Sequence, residues 1–227
     1  MRKIKFLSFW LLLTVGMAIM VFNSCSKDHD DNSNNQNNSN NNSPTSDNGV
    51  VINGIKWATR NVDKPGTFAA KPEDPGMYYQ WNSKVGWEYG YSALTPSDGT
   101  STWNSSWEGN GATTWEKAND PCPTGWRMPS QDELISLYTS SGAWTTVNNV
   151  KGRRFGNGGN TIFLPAVGHR HFDEGELFYA TLYGYYWSST RHNSNHASNL
   201  FLDIVEVDPY DYDHMAFGKS CRCVESD

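Results

Sequence analysis

The chain of 227 residues is short of basic side chains and of catalytic motifs. Its 18 Lys and Arg face 24 Asp and Glu, and the resulting net charge of −6 disfavours a nucleic-acid partner, because the phosphate backbone is anionic. The sequence contains no Gly-x-Ser-x-Gly nucleophile motif, no phosphate-binding loop and no His-Glu-x-x-His zinc motif. We therefore predict that the protein is not an enzyme.

Charged residues make up only 19% of the chain, whereas aromatic residues make up 14%. A hydrophobic fraction of 37% is enough for a packed core. Together with 20 Gly and 10 Pro, the aromatic content favours a turn-rich domain with an aromatic core over a helical bundle. The length allows one ordinary domain with additional segments.

Residues 1–24 are typical of an export signal, with a basic start, an apolar run over residues 6–22 and a small residue before Cys25. A transmembrane anchor is the alternative, because the apolar run approaches the length that spans a bilayer. The end of the segment resembles a bacterial lipoprotein signal. That resemblance implies cleavage before Cys25 and lipidation of its thiol, which anchors the chain to a membrane.

Residues 25–49 are predicted to be a flexible tether. The first part is acidic and resembles the export tag of surface lipoproteins of Bacteroidetes, although a charged linker is the alternative. The stretch 32–42 is nearly pure Asn and has no apolar side chain to bury, so it cannot offset its ordering entropy. These features predict a lipid-anchored protein of the outer membrane that faces the cell exterior.

Residues 50–227 are predicted to form one domain with few helices. Asn53-Gly54 lies between two short apolar runs and predicts a β-hairpin. Residues 77–81 resemble a strand, whereas residues 82–120 show no sustained period and predict a long irregular loop region. The capping box from Ser130 to Glu133 predicts a helix, and a weaker helix is expected over 114–118.

The remainder of this domain favours β-structure. Residues 161–167 resemble a buried strand, in which Pro165 requires an edge position or a bulge. Further strands are expected over 185–189, over the alternating stretch 200–205 and over 220–224. Pairing of the first and last strands would bring the two ends of the domain together.

Four sequence blocks carry a resemblance to a known family. They are NGIKWATRNV (53–62), CPTGWRMPS leading into Glu133-Leu134 (122–134), GYYWSST (184–190) and SCRCV (220–224). In this order and spacing they resemble the Fibrobacter succinogenes major paralogous domain, over roughly residues 50–225. The resemblance implies an α+β, C-type lectin-like fold: a looped antiparallel β domain with one or two helices and a long irregular loop region. It implies no particular activity.

The resemblance also implies a disulfide between Cys122 and Cys223, which both occupy motif positions. Disulfides are expected in an exported protein. Cys221 departs from the family, which usually has an apolar residue there. Three alternatives remain for Cys221: competition for Cys122, pairing between molecules, or a buried free thiol.

Aromatic residues crowd the irregular region and form the candidate ligand site. Aromatic faces stack on sugar rings, and Tyr and Trp also offer a polar group. The predicted contacts are Trp87, Tyr89, Trp103 and Trp107, with Glu88 as a hydrogen-bond acceptor. The predicted partner is a glycan or a surface protein. The alternative is that these rings only cover the core.

Calcium is the best candidate for a bound metal. Asp208, Asp211 and Asp213 lie close enough in sequence to supply carboxylate ligands, although a solvated acidic turn is the alternative. The pairs His169/His171 and His192/His196 have spacings suited to zinc, but no third ligand is evident.

The sequence therefore predicts a non-catalytic, lectin-like recognition module on a surface lipoprotein. The alternative is a structural or fimbria-associated subunit of the cell envelope. A remote alternative is a copper oxidase of the formylglycine-generating type, because Cys221 and Cys223 offer a cysteine pair.

Overall fold

The computed structural model describes residues 43–91 and 94–227. The predicted signal peptide (1–24), the lipidation site Cys25 and most of the tether therefore lie outside the described residues. The model is 36% strand and 7% helix, which confirms a β-rich domain with one short helix. Within the described ranges, no helix is long and apolar enough to span a membrane.

The domain is built from sixteen short strands and one α-helix among the described residues. The helix α1 spans Gln131–Thr139. The strands are β1 (Val50–Ile52), β2 (Ile55–Trp57), β3 (Tyr78–Tyr79), β4 (Gly86–Trp87), β5 (Trp126–Arg127), β6 (Gly142–Val147), β7 (Val150–Asn157), β8 (Asn160–Pro165), β9 (His169–Arg170), β10 (Leu177–Phe178), β11 (Gly184–Arg191), β12 (His196–Leu202), β13 (Val207–Asp208), β14 (Tyr212–His214), β15 (Lys219–Ser220) and β16 (Val224–Glu225).

Four sheets organise these strands. A four-stranded sheet has the order β1-β2-β16-β5, and a seven-stranded sheet runs β13-β12-β11-β15-β3-β4 with β14 also paired to β12. The hairpins β6-β7-β8 and β9-β10 form the other two sheets. The last strand pairs with the second, at Val224 and Trp57, so the ends of the domain meet as predicted.

The predicted hairpin and the predicted helix are both confirmed. Asn53 and Gly54 have φ values of 50° and 80°, and two positive φ values are what a tight type I′ hairpin turn requires. At the start of α1, the Ser130 hydroxyl accepts from the Glu133 amide at 3.2 Å, and the Glu133 carboxylate accepts from the Ser130 amide at 2.7 Å. This reciprocal pair satisfies two amides that a helix start leaves unpaired.

The prediction of a second helix over 114–118 is wrong. Thr114 forms a β-bridge with Thr190, and the amide of Trp115 donates to the carbonyl of Ser189 at 3.0 Å. Docking against β11 therefore holds this segment extended. Earlier in the loop, Gly109–Gly111 form a 3₁₀ turn.

The alternating stretch 200–205 is a strand only as far as Leu202. The Asp203 carboxylate then accepts from the amides of Val205 and Glu206, both at 2.7 Å, and turns the chain. Ile204 and Val205 consequently lie at a loop tip, where they are 67% and 80% exposed.

The prediction that Pro165 lies at an edge or a bulge is confirmed, because Pro165 ends β8 at the edge of the sheet β6-β7-β8.

The predicted disulfide is confirmed, and it lies where the four sequence blocks meet. Cys122 is bonded to Cys223 across 101 positions of sequence. The carbonyls of Cys223 and Cys221 accept from the amides of Ala58 and Val62 at 2.9 Å and 3.0 Å. The blocks around 57, 122 and 223 therefore form one packed unit.

Arg222 fills the space between these blocks, and no carboxylate of the described residues forms an ion pair with it. It is 1% exposed, and its guanidinium donates to the Asn61 Oδ1 at 2.7 Å and to the carbonyls of Ala58 and Phe163, both at 3.0 Å. Burial lowers the pKa of Arg222 to about 10. The last block is thereby joined to the first block and to β8.

Candidate functional site

Four indole groups in or next to the irregular region form what we call the indole clamps, and those of Trp103 and Trp107 join the region to the rest of the domain. Each donates its Nε1 hydrogen to a backbone carbonyl, at distances of 2.6–2.9 Å. The pairs are Trp81 with Ser188, Trp103 with Phe172, Trp107 with Trp81, and Trp115 with Asn119. These rings hold a loop that has little secondary structure of its own. To that extent the alternative interpretation, in which they cover the core, is correct.

Three of the four predicted aromatic contacts nevertheless line one open groove of about 670 Å³, which we call the tryptophan groove. They are Trp87, Trp103 and Trp107, and the rings of Trp87 and Trp103 meet edge to face at 5.2 Å. Trp103 and Trp107 are half-buried. The other lining residues are Gln80, Ser83, Val85, Thr100, Ser101, Thr102, Asn104 and Ser105.

The chemistry of the tryptophan groove is uncharged. Among the described residues, its lining combines indole rings with hydroxyl and amide groups and includes no Asp, Glu, Lys or Arg. Such a surface offers apolar faces and hydrogen-bonding groups side by side, which is the pattern that sugar rings match. The hydroxyl run Thr100–Thr102 and Gln80 were not among the predicted contacts.

Asp98 shapes the hydroxyl run from outside the lining. Its Oδ1 accepts from the amides of Thr100 and Ser101 at 3.1 Å and 2.9 Å. Hydrogen bonds from the Ser101 side chain and backbone lower the pKa of Asp98. An Asp-Gly pair followed by Ser and Thr is a turn signal, so the sequence contained the information for this feature.

The predicted role of Trp87 as a stacking ring is wrong. Its side chain is 2% exposed and packs in a cluster with Tyr78 and Val167, so neither face is open to a ligand. Trp87 is buried because β4 pairs with β3, which places it opposite Tyr78.

Glu88 and Tyr89 do not line the tryptophan groove. They border a separate cleft together with Asp63 and Asp74. Tyr89 is 41% exposed and stacks on Tyr78 with 6.3 Å between ring centres. The predicted site is therefore split between two separate clefts.

The three aspartates of the suggested calcium site serve other partners. Asp213 receives a hydrogen bond from the Lys219 ammonium, Asp211 accepts from the Asn199 amide at 2.7 Å, and Asp208 accepts from a backbone amide at 2.8 Å. The cation of Lys219 would also repel a calcium ion. In the part of the chain that the structure describes, no group of three or more His, Cys, Asp or Glu side chains is arranged to hold a metal.

Lys219 lies beneath an aromatic face of the seven-stranded sheet. Its side chain is 0% exposed, and its ammonium lies 4.3 Å from the ring centre of Trp187 and 5.0 Å from that of Tyr185. Burial lowers the pKa of Lys219, whereas Asp213 raises it. Ring attraction and the carboxylate together hold the charge.

The histidine pairs do not act as paired ligands in this geometry. His169 is 6% exposed, and its ring packs against those of Tyr185 and Phe217 at 4.7 Å and 5.0 Å. His192 stacks on Tyr212 at 3.8 Å, and the His196 Nδ1 lies 2.7 Å from an amide oxygen of Asn195. Burial, with the nearby Lys219 ammonium, lowers the pKa of His169 to about 3.

The low pKa of His169 predicts that the domain loses stability in acid. The unfolded value is about 6.5, so below that pH the unfolded state binds more protons than the folded state does. The contribution of neutral His169 to the free energy of unfolding is therefore fully present above pH 6.5. It falls by roughly 1.4 kcal/mol per pH unit between pH 6.5 and about pH 3. Urea unfolding at pH 7 and pH 5 measures the loss.

The variant His169→Phe keeps a ring in the cluster and removes the titrating group. Between pH 7 and pH 5 we expect it to lose roughly 2 kcal/mol less than the parent protein does. His171→Gln is the control, because His171 is only half-buried. Equal losses in the parent and in His169→Phe would contradict the assignment.

Cys221 is the free thiol among the described cysteines, and it is buried. Burial raises its pKa well above the usual value, which disfavours the reactive thiolate. The structure therefore favours the buried free thiol over the other two alternatives. The copper-oxidase alternative needs two free thiols, whereas Cys223 is held in the disulfide.

Comparison with family models, with curated proteins and with solved structures finds no match for this chain. Function is therefore inferred from the tryptophan groove and from the sequence.

Proposed function

We propose that the protein is a non-catalytic recognition module that binds a glycan or a surface protein in the tryptophan groove. One observation carries the proposal: Trp103 and Trp107, which are far from Gln80 in sequence, lie with it around a single groove of about 670 Å³. The groove is lined by indoles, hydroxyls and amides, which suits reversible binding of a polar ligand.

The indole clamps support this proposal because they make the groove rigid before a ligand arrives. Trp103 and Trp107 are each fixed by a hydrogen bond to a backbone carbonyl, at 2.8 Å and 2.6 Å. A preformed site avoids the entropy cost of ordering a loop on binding. An irregular segment with this many anchors is suited to recognition.

The proposal includes a C-type lectin-like fold of the Fibrobacter succinogenes major paralogous type. Two features support it: the last strand pairs with the first hairpin, and the four resembling blocks pack together. The amide of Ser189 donates to the carbonyl of Pro129 at 2.6 Å, which joins the second block to the third. An experimental structure with a different strand order would contradict this part.

The proposal also places the domain on the cell exterior, lipid-anchored in the outer membrane through Cys25. The lipoprotein-like signal supports this location, and the disulfide is typical of exported proteins. Metabolic labelling with palmitate tests the anchor. A mature chain without label, or one that begins before Cys25, would contradict it.

Trp107→Ala is expected to weaken binding at least about tenfold, because a truncated aromatic contact at the centre of a site costs on the order of 1–2 kcal/mol or more. The full chain is first screened on a glycan array and against surface proteins. The affinity of the variant for each hit is then measured by calorimetry, with near-ultraviolet circular dichroism to check folding.

Trp144→Ala is the matched control, because Trp144 is also half-buried but lies on β6, outside the tryptophan groove. It should leave affinity unchanged. Equal effects of the two variants, or no ligand for the parent protein, would contradict a recognition role in this groove. Co-assembly into a filament, with no soluble ligand, would favour the structural alternative.

A further inference from the structure

The strand β6 leaves the edge of its sheet open. It pairs with β7 alone, and the register between the two strands contains no bulge. The hairpin turn has two residues, so Val147 and Val150 form a hydrogen-bonded pair, and every second pair along the hairpin does the same. The residues of β6 between these pairs are Gly142, Trp144 and Thr146, whose amides and carbonyls point away from β7. Among the described residues, none forms a hydrogen bond with these outward backbone groups.

An open edge of this length is unusual, because proteins commonly protect edge strands with charge, proline, a bulge or a very short strand. β6 has six residues, of which none is charged or proline and each is at least partly exposed. The other strands at the ends of the described sheets have at most three residues, except β8, whose last four residues are buried. β6 is therefore the long edge of the described domain that a further strand can join.

A cleft of about 720 Å³ opens at the start of this edge, and we call it the β6 cleft. Its wall includes Gly142, the ring of Phe155 from β7, the ring of Tyr138 from α1, and Val205, which is 80% exposed. Gly142 and Phe155 are cross-strand partners, so they lie on one face of the sheet. A strand added to β6 directs every second side chain to that face. The β6 cleft therefore suits a large apolar side chain of an extended segment, as in other complexes formed by strand addition.

The sheet β6-β7-β8 is basic, although the whole chain has a net charge of −6. Residues 142–165 include Lys151, Arg153 and Arg154 but no Asp or Glu. No carboxylate of the described residues forms an ion pair with any of these three side chains. An added strand lies two strand spacings, about 10 Å, from β7, and Lys or Arg and Glu side chains together span that distance.

This charge selects among the possible occupants of the edge. An acidic segment meets opposite charge at the exposed Lys151 and Arg154, whereas a second copy of the chain would bring two basic sheets together. Glu206 lines the β6 cleft, so the acidic side chains of the partner belong near those two cations and not in the cleft.

We propose that β6 accepts an extended acidic segment of a partner protein as a further strand of the sheet, with a large apolar side chain of that segment in the β6 cleft. This inference goes beyond the proposed function, because the edge and the β6 cleft share no residue with the tryptophan groove. The protein thus has a second interaction surface, which a partner can occupy while the groove holds its own ligand.

Amide hydrogen exchange of the ¹⁵N-labelled full chain in detergent micelles tests this directly. The probe is the octapeptide TEVEFEVT, which alternates apolar and acidic side chains, and TKVKFKVT is its basic counterpart. In the free protein, the outward amides of Trp144 and Thr146 should exchange faster than the inward amides of Thr145 and Val147. The acidic octapeptide should slow the outward amides at least about tenfold. The basic octapeptide should bind at least about tenfold more weakly.

Affinity measurements with matched variants complete the test. Thr146→Pro removes an outward donor but no bond to β7, and should weaken binding of the acidic octapeptide at least about tenfold. Val51→Pro is the control, because Val51 has an outward amide on the edge strand β1 by the same alternation and is 53% exposed. Arg154→Glu should weaken binding about threefold or more, whereas Lys117→Glu, exposed and outside the sheet, should not. The exchange experiment does not depend on whether Thr146→Pro folds.

Four outcomes would overturn the inference. They are no protection of the outward amides by millimolar acidic octapeptide, tighter binding of the basic octapeptide, binding of dextran sulfate while those amides stay unprotected, and a dimer in sedimentation that Thr146→Pro dissociates. The third outcome would make the sheet a surface for anionic polysaccharides, and the fourth would make a second copy the occupant. None of them bears on the tryptophan groove, which Trp107→Ala tests separately.

Discussion

Removing the disulfide is expected to lower the free energy of unfolding by about 2–5 kcal/mol. Cys122 and Cys223 are 101 positions apart, and a bond that closes a loop of this length restricts the unfolded chain strongly. The variant is the double replacement of both residues by alanine, because a single replacement would free a thiol that could pair with Cys221. Urea unfolding followed by circular dichroism measures the loss.

Cys221→Ala is the matched control for this prediction. It removes a buried sulfur of the same core cluster but no cross-link. We expect its loss to be clearly smaller than that of the double variant. If the double variant unfolds at the same urea concentration as the parent protein, the disulfide contributes nothing to stability and the prediction is wrong.

Arg222→Met is expected to cost at least about 3 kcal/mol. The change leaves the Asn61 side-chain oxygen and the carbonyls of Ala58 and Phe163 without the donor that now satisfies them. Each buried acceptor that loses its partner costs roughly 1–3 kcal/mol. Relief from burying the cation offsets part of this sum, because the lowered pKa of Arg222 shows that its charge is unfavourable there.

Arg222→Lys separates charge from geometry. It keeps the cation but loses the paired contact in which Nε and a terminal nitrogen of Arg222 both donate to Asn61, at 3.1 Å and 2.7 Å. We expect an intermediate loss, since Lys cannot reproduce such a fork. Arg154→Met, on the exposed side of β7, should change stability by less than about 0.5 kcal/mol. Equal effects at 222 and 154 would contradict the structural role of Arg222.

The parts of the fold that could be predicted from sequence are those specified by local chemistry. A capping box fixes the start of α1, and Asn53-Gly54 fixes a hairpin, because neighbouring residues satisfy the requirement in each case. A second hairpin was missed although it has a similar signal. Asn148 and Asn149, with φ values of 47° and 67°, form the turn between β6 and β7.

The predictions that were wrong concern features that depend on contacts between residues distant in sequence. The segment 114–118 was predicted to be helical, but its start at Thr114 is held extended by a β-bridge to β11, which is distant in sequence. Burial of Trp87 likewise follows from the pairing of β4 with β3, and no local pattern distinguishes it from the half-buried Trp103. For the candidate site, the aromatic residues of the irregular region predicted that Trp87, Trp103 and Trp107 lie at one site. They did not predict that Trp87 is the buried one.

The charged partners of the three aspartates also depend on contacts between residues distant in sequence. The sequence places Asp208, Asp211 and Asp213 close together, whereas the fold directs two of them to Lys219 and Asn199. Lys219 comes from β15, and only the sheet order brings it to β14 and β12. A local cluster of carboxylates therefore gave no information about the cation that neutralises it.

The indole clamps have a consequence for how this protein tolerates sequence change. Each clamp uses a main-chain oxygen as its acceptor, which every amino acid provides. Residues between the clamps, such as Thr102 and Ser105, can therefore be exchanged without loosening the scaffold. The region is suited to randomised libraries in which the four tryptophans stay constant and new binding specificities are selected.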